Sequence, residues 1–221
     1  MLVALFGKRN SGKNYLAKHL ASNLSPDPWI TAFADPIKQM ARDLFGFTPE
    51  RLWGESYLRD EFLEDWDSNA DEKWHQTLWR VSTLENTREN RSIREAVEGL
   101  FQRYVTEAPN GEYLCSPFTV RDVLKEIGQK MRADFGDDYW NSKVMVGEGH
   151  TLITDGRMAH ELAWVRECRG LAVRVYGDVG GIDDHETERL EMPDSLYDFV
   201  FVNDRVGFEA KLAGLTSLVL G

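Results

Sequence analysis

The chain has 221 residues, enough for one well-buried α/β domain with an insertion and too few for two full domains of ordinary size. Its formal net charge of −11 argues against a protein that coats a nucleic-acid polymer, because lysine and arginine must drive such binding. No apolar run approaches the ~20 residues of a bilayer span, and the apolar opening at residues 1–6 is too short for a signal-peptide core, so no membrane partner and a cytoplasmic location are expected.

Residues 2–6 form a short apolar run followed by Gly7, the pattern of a strand buried on both faces of a parallel sheet. Tyr15, Leu16, His19, Leu20 and Leu24 fall near helical spacing, and Ser25-Pro26-Asp27-Pro28 stops that segment. Residues 29–33 predict a second strand. Asp35 then caps a second helix with Pro36 at its first position and Gly46 at its end.

Periodicity weakens over residues 48–118, where acidic residues crowd positions 55–72, tryptophans stand at 53, 66, 74 and 79, and Pro109-Asn110-Gly111 marks a turn. This stretch is expected to be a mostly helical insertion, its tryptophans packing the insertion and its acidic run a solvated face. Val120, Val123, Leu124, Ile127 and Met131 then fit an amphipathic helix. A strand at 151–154, a helix through Glu161, Leu162, Val165 and Cys168, strands at 171–176 and 199–202, and a last helix at 208–218 complete the order. Strands alternating with helices predict a single α/β domain, 1–221, in three layers with a parallel sheet between helices.

Gly7-Lys8-Arg9-Asn10-Ser11-Gly12-Lys13 matches G-x-x-x-x-G-K between a predicted strand and a predicted helix. Such a loop turns backbone N–H groups around a phosphate, the helix end adds its positive dipole, and Lys13 reaches the β and γ phosphates. ATP is therefore the expected cofactor, with Gly7, Arg9, Asn10, Ser11, Gly12, Lys13, Asn14 and Tyr15 around it. Asn14 stands where serine or threonine usually brings a hydroxyl to Mg²⁺. The metal must then be held by the Asn14 amide oxygen, a metal-bound water or the Ser11 hydroxyl. Asp155, closing an apolar strand, is the compensating carboxylate, with a turn aspartate before Gly156 as the plain alternative; Arg157, two residues on, is placed to neutralise phosphate charge.

Arg121, Lys125, Gly128 and Arg132 recur on one helical face, either a seat for a second phosphate or a solvated face partnered by Asp122 and Glu126. Lys38 and Arg42 form a similar pair one turn apart. Trp140 either stacks on a base or anchors the next segment. His185 and Glu188 read as a capped helix start. Cys115 and Cys168 lie far apart without a CxxC or a neighbouring histidine, which predicts neither a zinc site nor a disulfide framework.

The order of these stretches resembles the phage-type deoxynucleoside monophosphate kinases: residues 7–13, Phe33-Ala-Asp-Pro-Ile-Lys38, Thr119-Val-Arg121 through Gly128 to Trp140, Ile153-Thr-Asp155-Gly-Arg157 with Glu161, His185-Glu-Thr-Glu188, and Phe201-Val-Asn203-Asp. The resemblance implies a P-loop nucleoside triphosphate hydrolase-like fold, ATP and Mg²⁺ at the loop, and a deoxynucleotide held by Lys8, Asp35, Lys38, Arg121, Arg132, Trp140 and Glu161. Lys13, Asp155, Arg157 and Arg121 would then be catalytic, Asn14 and Asp155 would serve the metal, and a segment near 180–188 would close over the site. If the chain is phage-encoded, its location is the host cytoplasm. The chain departs from the family at Asn14-Tyr15 and at Gly177-Asp178, where a lid arginine is usual, with Arg174 or Arg189 as substitutes. Animal-type phosphomevalonate kinases are similar around Lys8-Arg9 and Asp155-Gly-Arg157. A non-catalytic ATP-binding module and a homodimer both stay open.

Overall fold

The computed structural model describes residues 1–63, 70–107, 109, 113–177, 192–204 and 206–221, without the side chains of residues 70, 71 and 113. In chain order the elements are β1 (Leu2–Phe6), α1 (Lys13–Ala21), β2 (Trp29–Thr31), α2 (Asp35–Phe45), α3 (Pro49–Trp53), α4 (Ala70–Ser82), α5 (Arg88–Tyr104), β3 (Val105–Glu107), β4 (Tyr113–Cys115), α6 (Val120–Phe135), β5 (Thr151–Gly156), α7 (Ala159–Glu167), β6 (Leu171–Gly177), β7 (Phe199–Asn203) and α8 (Phe208–Leu220). No helix among the described residues is long and apolar enough to cross a membrane.

The chain divides into two compact units, Met1–Asp35 with Asn141–Gly221, and Pro36–Trp140. The second unit is wider than the expected insertion at 48–118, because it also takes in most of α2 and all of α6.

In the first unit the strands run parallel in the order β2-β5-β1-β6-β7. All five residues of β1 are buried, and successive side chains serve opposite faces. Val3 and Leu5 join Leu152, Val173, Val175 and Phe201 against α1 (Leu16, Leu20) and α8 (Leu212, Leu215, Val219). Leu2, Ala4 and Phe6 join Ile153 and Ala172 against α7 (Leu162, Val165) and Tyr197. Helices on both faces of a parallel sheet give the three-layer α/β architecture expected from the alternation of elements. β2 stops at Thr31, two residues short of the expected strand, because the chain turns there: Asp35 Oδ2 accepts from the Ala32 N–H at 2.8 Å and the Thr31 hydroxyl at 3.0 Å.

In the second unit Trp74 is fully buried, its ring 6.1, 5.5 and 5.8 Å from those of Phe45, Phe101 and Phe118. Trp74 is thus the packing tryptophan the sequence predicts. Trp79, by contrast, is 67% exposed, and Trp66 lies outside the described residues. Helices dominate this unit, joined by an antiparallel β3–β4 hairpin that the weak periodicity of 48–118 does not reveal. Thr119 and Asp122 close a reciprocal capping box on α6, whose Val120, Val123, Ile127 and Met131 are fully buried, as their spacing predicts.

Candidate functional site

The loop between β1 and α1 is built by backbone constraint. Asn10 and Gly12 take left-handed conformations at φ 63° and 90°, and the Ser11 N–H donates to the Lys8 carbonyl at 3.2 Å. At φ 90° any L side chain on Gly12 is strained, and a Cβ there would also displace the Asn203 amide, whose Nδ2 would lie 2.0 Å away. A Cβ on Gly7 would lie 2.5 Å from the Val175 carbonyl oxygen, and one on Gly177 2.5 Å from that of Ser11. The loop is therefore seated directly against the carboxyl ends of β6 and β7.

Two buried polar side chains point to what this seat is for. Lys13, 7% exposed, donates to the Gly7 and Lys8 carbonyls at 2.6 and 2.7 Å. Burial pushes its ammonium down to about 7, with repulsion from Arg157 adding to the effect and Asp155 opposing it. Ser11, 2% exposed, has a hydroxyl with no hydrogen-bond partner. A buried hydroxyl without a partner is costly, and a buried cation more so. Both stand at the positive end of a nine-residue helix, where an incoming anion meets oriented N–H groups, an ammonium and a hydroxyl together.

Asp155 occupies the end of β5, but its oxygens are engaged: Oδ1 accepts from the Phe33 N–H at 2.6 Å and Oδ2 from the Ala34 N–H at 3.1 Å. It ties β5 to the turn after β2, a role its spacing in sequence does not announce. Glu161, expected at the substrate, instead accepts from the Arg157 and Met158 N–H groups at 2.6 and 2.8 Å and so caps α7. Burial first, and then Asp155, lifts its carboxyl to about 7. Among the described residues no group of three His, Cys, Asp or Glu could hold a metal ion. Asn14 is exposed on the first turn of α1.

Tyr15 is 53% exposed, its ring 4.3 Å from His19 and 5.4 Å from Phe208. It opens on a groove lined also by Asn203, Gly207, Phe208 and Glu209. Asn203, whose amide donates to the Ser11 carbonyl at 3.5 Å, joins this groove to the loop. Gly207 and Phe208, 195 residues or so from the loop in sequence, enter the site only through the β7–α8 connection, and no local motif marks them.

The residues expected to hold an acceptor divide between the units. Lys8, Asp35 and Glu161 belong to the first; Lys38, Arg121, Arg132 and Trp140 belong to the second. Within the second unit Arg121 forms a two-point ion pair with Asp60 and donates to the Ser56 hydroxyl at 3.4 Å. Gly128 is not part of an open basic face: it is buried, and a Cβ there would lie 3.1 Å from Ile37 Cδ1. Trp140 is 5% exposed and donates from Nε1 to the Gly128 carbonyl at 3.3 Å, which makes it an anchor rather than an open stacking platform. Arg42 pairs with Asp43 at 3.3 Å. Lys38 is half-buried on α2, and Arg132 half-buried on α6 with Nη1 beside Gly128. The expected closing segment 180–188, with His185, Glu188 and Arg189, lies outside the described residues.

The first unit thus defines a class: a three-layer α/β unit with a glycine-built loop, holding a buried lysine and a buried serine, at the carboxyl edge of a parallel sheet. Comparison with protein-family models and with curated proteins returns no match.

Proposed function

We propose that the chain is a kinase that moves the γ-phosphoryl group of ATP onto the phosphate of a small metabolite, with a deoxynucleoside 5′-monophosphate as the leading acceptor. The observation that carries this reading is the loop at residues 7–13, whose buried Lys13 ammonium and partnerless Ser11 hydroxyl share one glycine-built seat. A diphosphate or triphosphate supplies negative charge to the Lys13 ammonium and an acceptor to the Ser11 hydroxyl. The groove beside Tyr15 and Phe208 has the aromatic lining a nucleobase stacks on, and Asn203 connects it to the loop.

In the reaction an oxygen of the acceptor phosphate forms a bond to Pγ as the bond from Pγ to the β–γ bridging oxygen breaks. The electron pair stays with ADP, and no covalent enzyme intermediate is formed. Such transfer needs positioning and charge neutralisation more than a general base. Lys13 and Arg157 supply cations, and the backbone N–H groups of the loop fix the donor. Magnesium, when bound with the nucleotide, spreads charge over the β and γ oxygens.

A second reading, ATP binding without transfer, is favoured by one observation: both Asp155 oxygens already serve backbone N–H groups. An assay of ADP release from Mg-ATP against deoxynucleoside monophosphates, ribonucleoside monophosphates and phosphomevalonate separates the cases. Turnover with deoxynucleotides is expected. Turnover with phosphomevalonate alone reassigns the acceptor, and tight ATP binding with no turnover on any of them establishes the binding module.

A further inference from the structure

The five-stranded sheet ends on two edge strands of different character. At β7 a cation stands at the edge: Lys211 Nζ donates to the Val202 carbonyl at 3.0 Å and pairs with Asp204 at 2.7 Å. A charged group held there discourages the addition of another strand. At the opposite edge, residues 28–34 around β2 carry no charge, and Trp29 and Ile30 are 50% and 49% exposed. In a parallel ladder alternate residues turn their backbone groups toward the neighbouring strand. The Trp29 N–H donates to the His150 carbonyl at 2.8 Å, so Trp29 and Thr31 face β5, and the N–H and C=O of Ile30 turn to the outer edge.

The connection before β5 extends this apolar edge. A Cβ on Gly147 would lie 2.9 Å from Trp29 Cβ, which seats residue 147 directly against β2. Met145 and Val146, just before it, are 70% and 53% exposed. Lys143 and Glu148, both exposed and of opposite sign, flank that pair, and the whole patch belongs to the first unit. Contiguous exposed apolar surface along a sheet edge marks a place of association. The net charge of −11 opposes contact between copies of the chain in general, and this edge is where two copies meet with little like-charge opposition.

We propose that two copies of the chain associate through β2, antiparallel, with Ile30 opposite Ile30 of the second copy, so that the two sheets become continuous. An antiparallel pair is two-fold symmetric, and a strand that pairs with itself needs no second surface. Each Ile30 N–H donates to the Ile30 carbonyl of the other copy, and the two side chains meet across the strands. The same axis runs residues 143–148 antiparallel to their copy, which sets Lys143 toward Glu148 of the second copy rather than toward a like charge. Trp29, Met145 and Val146 supply the apolar cover around the two hydrogen bonds.

The test is sedimentation velocity of the intact chain from micromolar to millimolar concentration, for the wild type, for Ile30→Lys and Ile30→Glu, and for an equimolar mixture of those two variants. The wild type should show a concentration-dependent monomer–dimer equilibrium, because the exposed side chains cover less than the ~800 Å² per partner of a standard interface. Either charge alone should raise the dimer Kd about 100-fold or more, since like charges then stand directly opposite each other. The mixture should recover the dimer, because lysine then faces glutamate across the axis. A wild type that stays monomeric overturns the proposal and leaves the edge to a different chain. A dimer unmoved by either charge, or a mixture no tighter than its separate components, overturns it as well. If a β2 variant does not fold, Met145→Glu takes its place, and an unchanged wild-type Kd in that variant overturns the proposal equally.

Discussion

The glycine-rich loop of the first unit and the basic face of α6 in the second both place cations at suggestive spacings, yet the structure treats them oppositely. At the loop, the Ser11 hydroxyl is buried without a partner, and the Lys13 ammonium is buried on two backbone carbonyls with its proton affinity lowered. On α6, Arg121 is satisfied by Asp60 and Ser56, and Gly128 is filled by packing from Ile37. Burial without a matching partner marks a place prepared for something else, whereas charge at helical spacing marks only a face.

Lys13→Ala breaks the comparison most sharply. Removing the ammonium should lower turnover by about 10²-fold or more, the scale for losing one preorganised charge-stabilising group. Turnover left intact in the coupled assay would show that the loop is not where the phosphoryl group moves.

Ser11→Ala should separate stability from binding. Deleting a buried hydroxyl that has no partner should raise the urea midpoint of the empty protein, by about 1 kcal/mol of stability, while weakening ATP. A loss of stability in the empty protein would mean that the hydroxyl has an internal partner.

Proton linkage offers a third test. Lys13 holds its proton only below about 7 in the folded protein but up to about 10.5 when unfolded. The unfolded chain therefore binds more protons between those values, and this group's contribution makes stability rise with pH across that window. Glu161, raised from 4.5 to about 7, works in the opposite sense below it: the folded state holds the extra proton, and stability falls as pH rises toward 7. Phosphate charge favours the ammonium, so ATP binding at pH 8 should take up protons, an uptake that fades toward pH 6. Titrations in buffers of different ionisation heat measure it, and its absence at pH 8 would contradict the lowered proton affinity of Lys13.

The smallest effect is expected on α6. Asp60→Asn should change stability by less than about 1 kcal/mol, since the pair is largely exposed. If Arg121 serves the acceptor, Arg121→Ala should raise the acceptor KM while leaving that of ATP unchanged; equal rises would remove Arg121 from that role.

Much of the first unit was legible in the sequence because its signals are local. The apolar run 2–6, the loop motif and the punctuation at Ser25-Pro26-Asp27-Pro28 each need only neighbouring residues to be read. The stripe on α6 was equally plain, since four of its five apolar positions are fully buried and Leu124 is half-buried. What sequence spacing could not show is partnership. Asp155 has the position of a metal-binding carboxylate, but the N–H groups it holds are 121 and 122 residues away. Glu161 and Trp140 likewise take structural partners that no periodicity encodes. The β3–β4 hairpin escaped because strands of three residues are too short to establish a period.

The placement of β1 has a consequence for how the protein is made. β1 precedes both strands it pairs with, β5 and β6, by about 150 to 170 positions, and its loop is finished by Asn203. The second unit, by contrast, is one continuous stretch, 36–140, able to fold as it emerges. The glycine-rich loop thus acquires its shape only once β5, β6 and Asn203 have been made, well after its own residues. A chain truncated before residue 199 should carry an intact motif without the loop conformation that Asn203 completes.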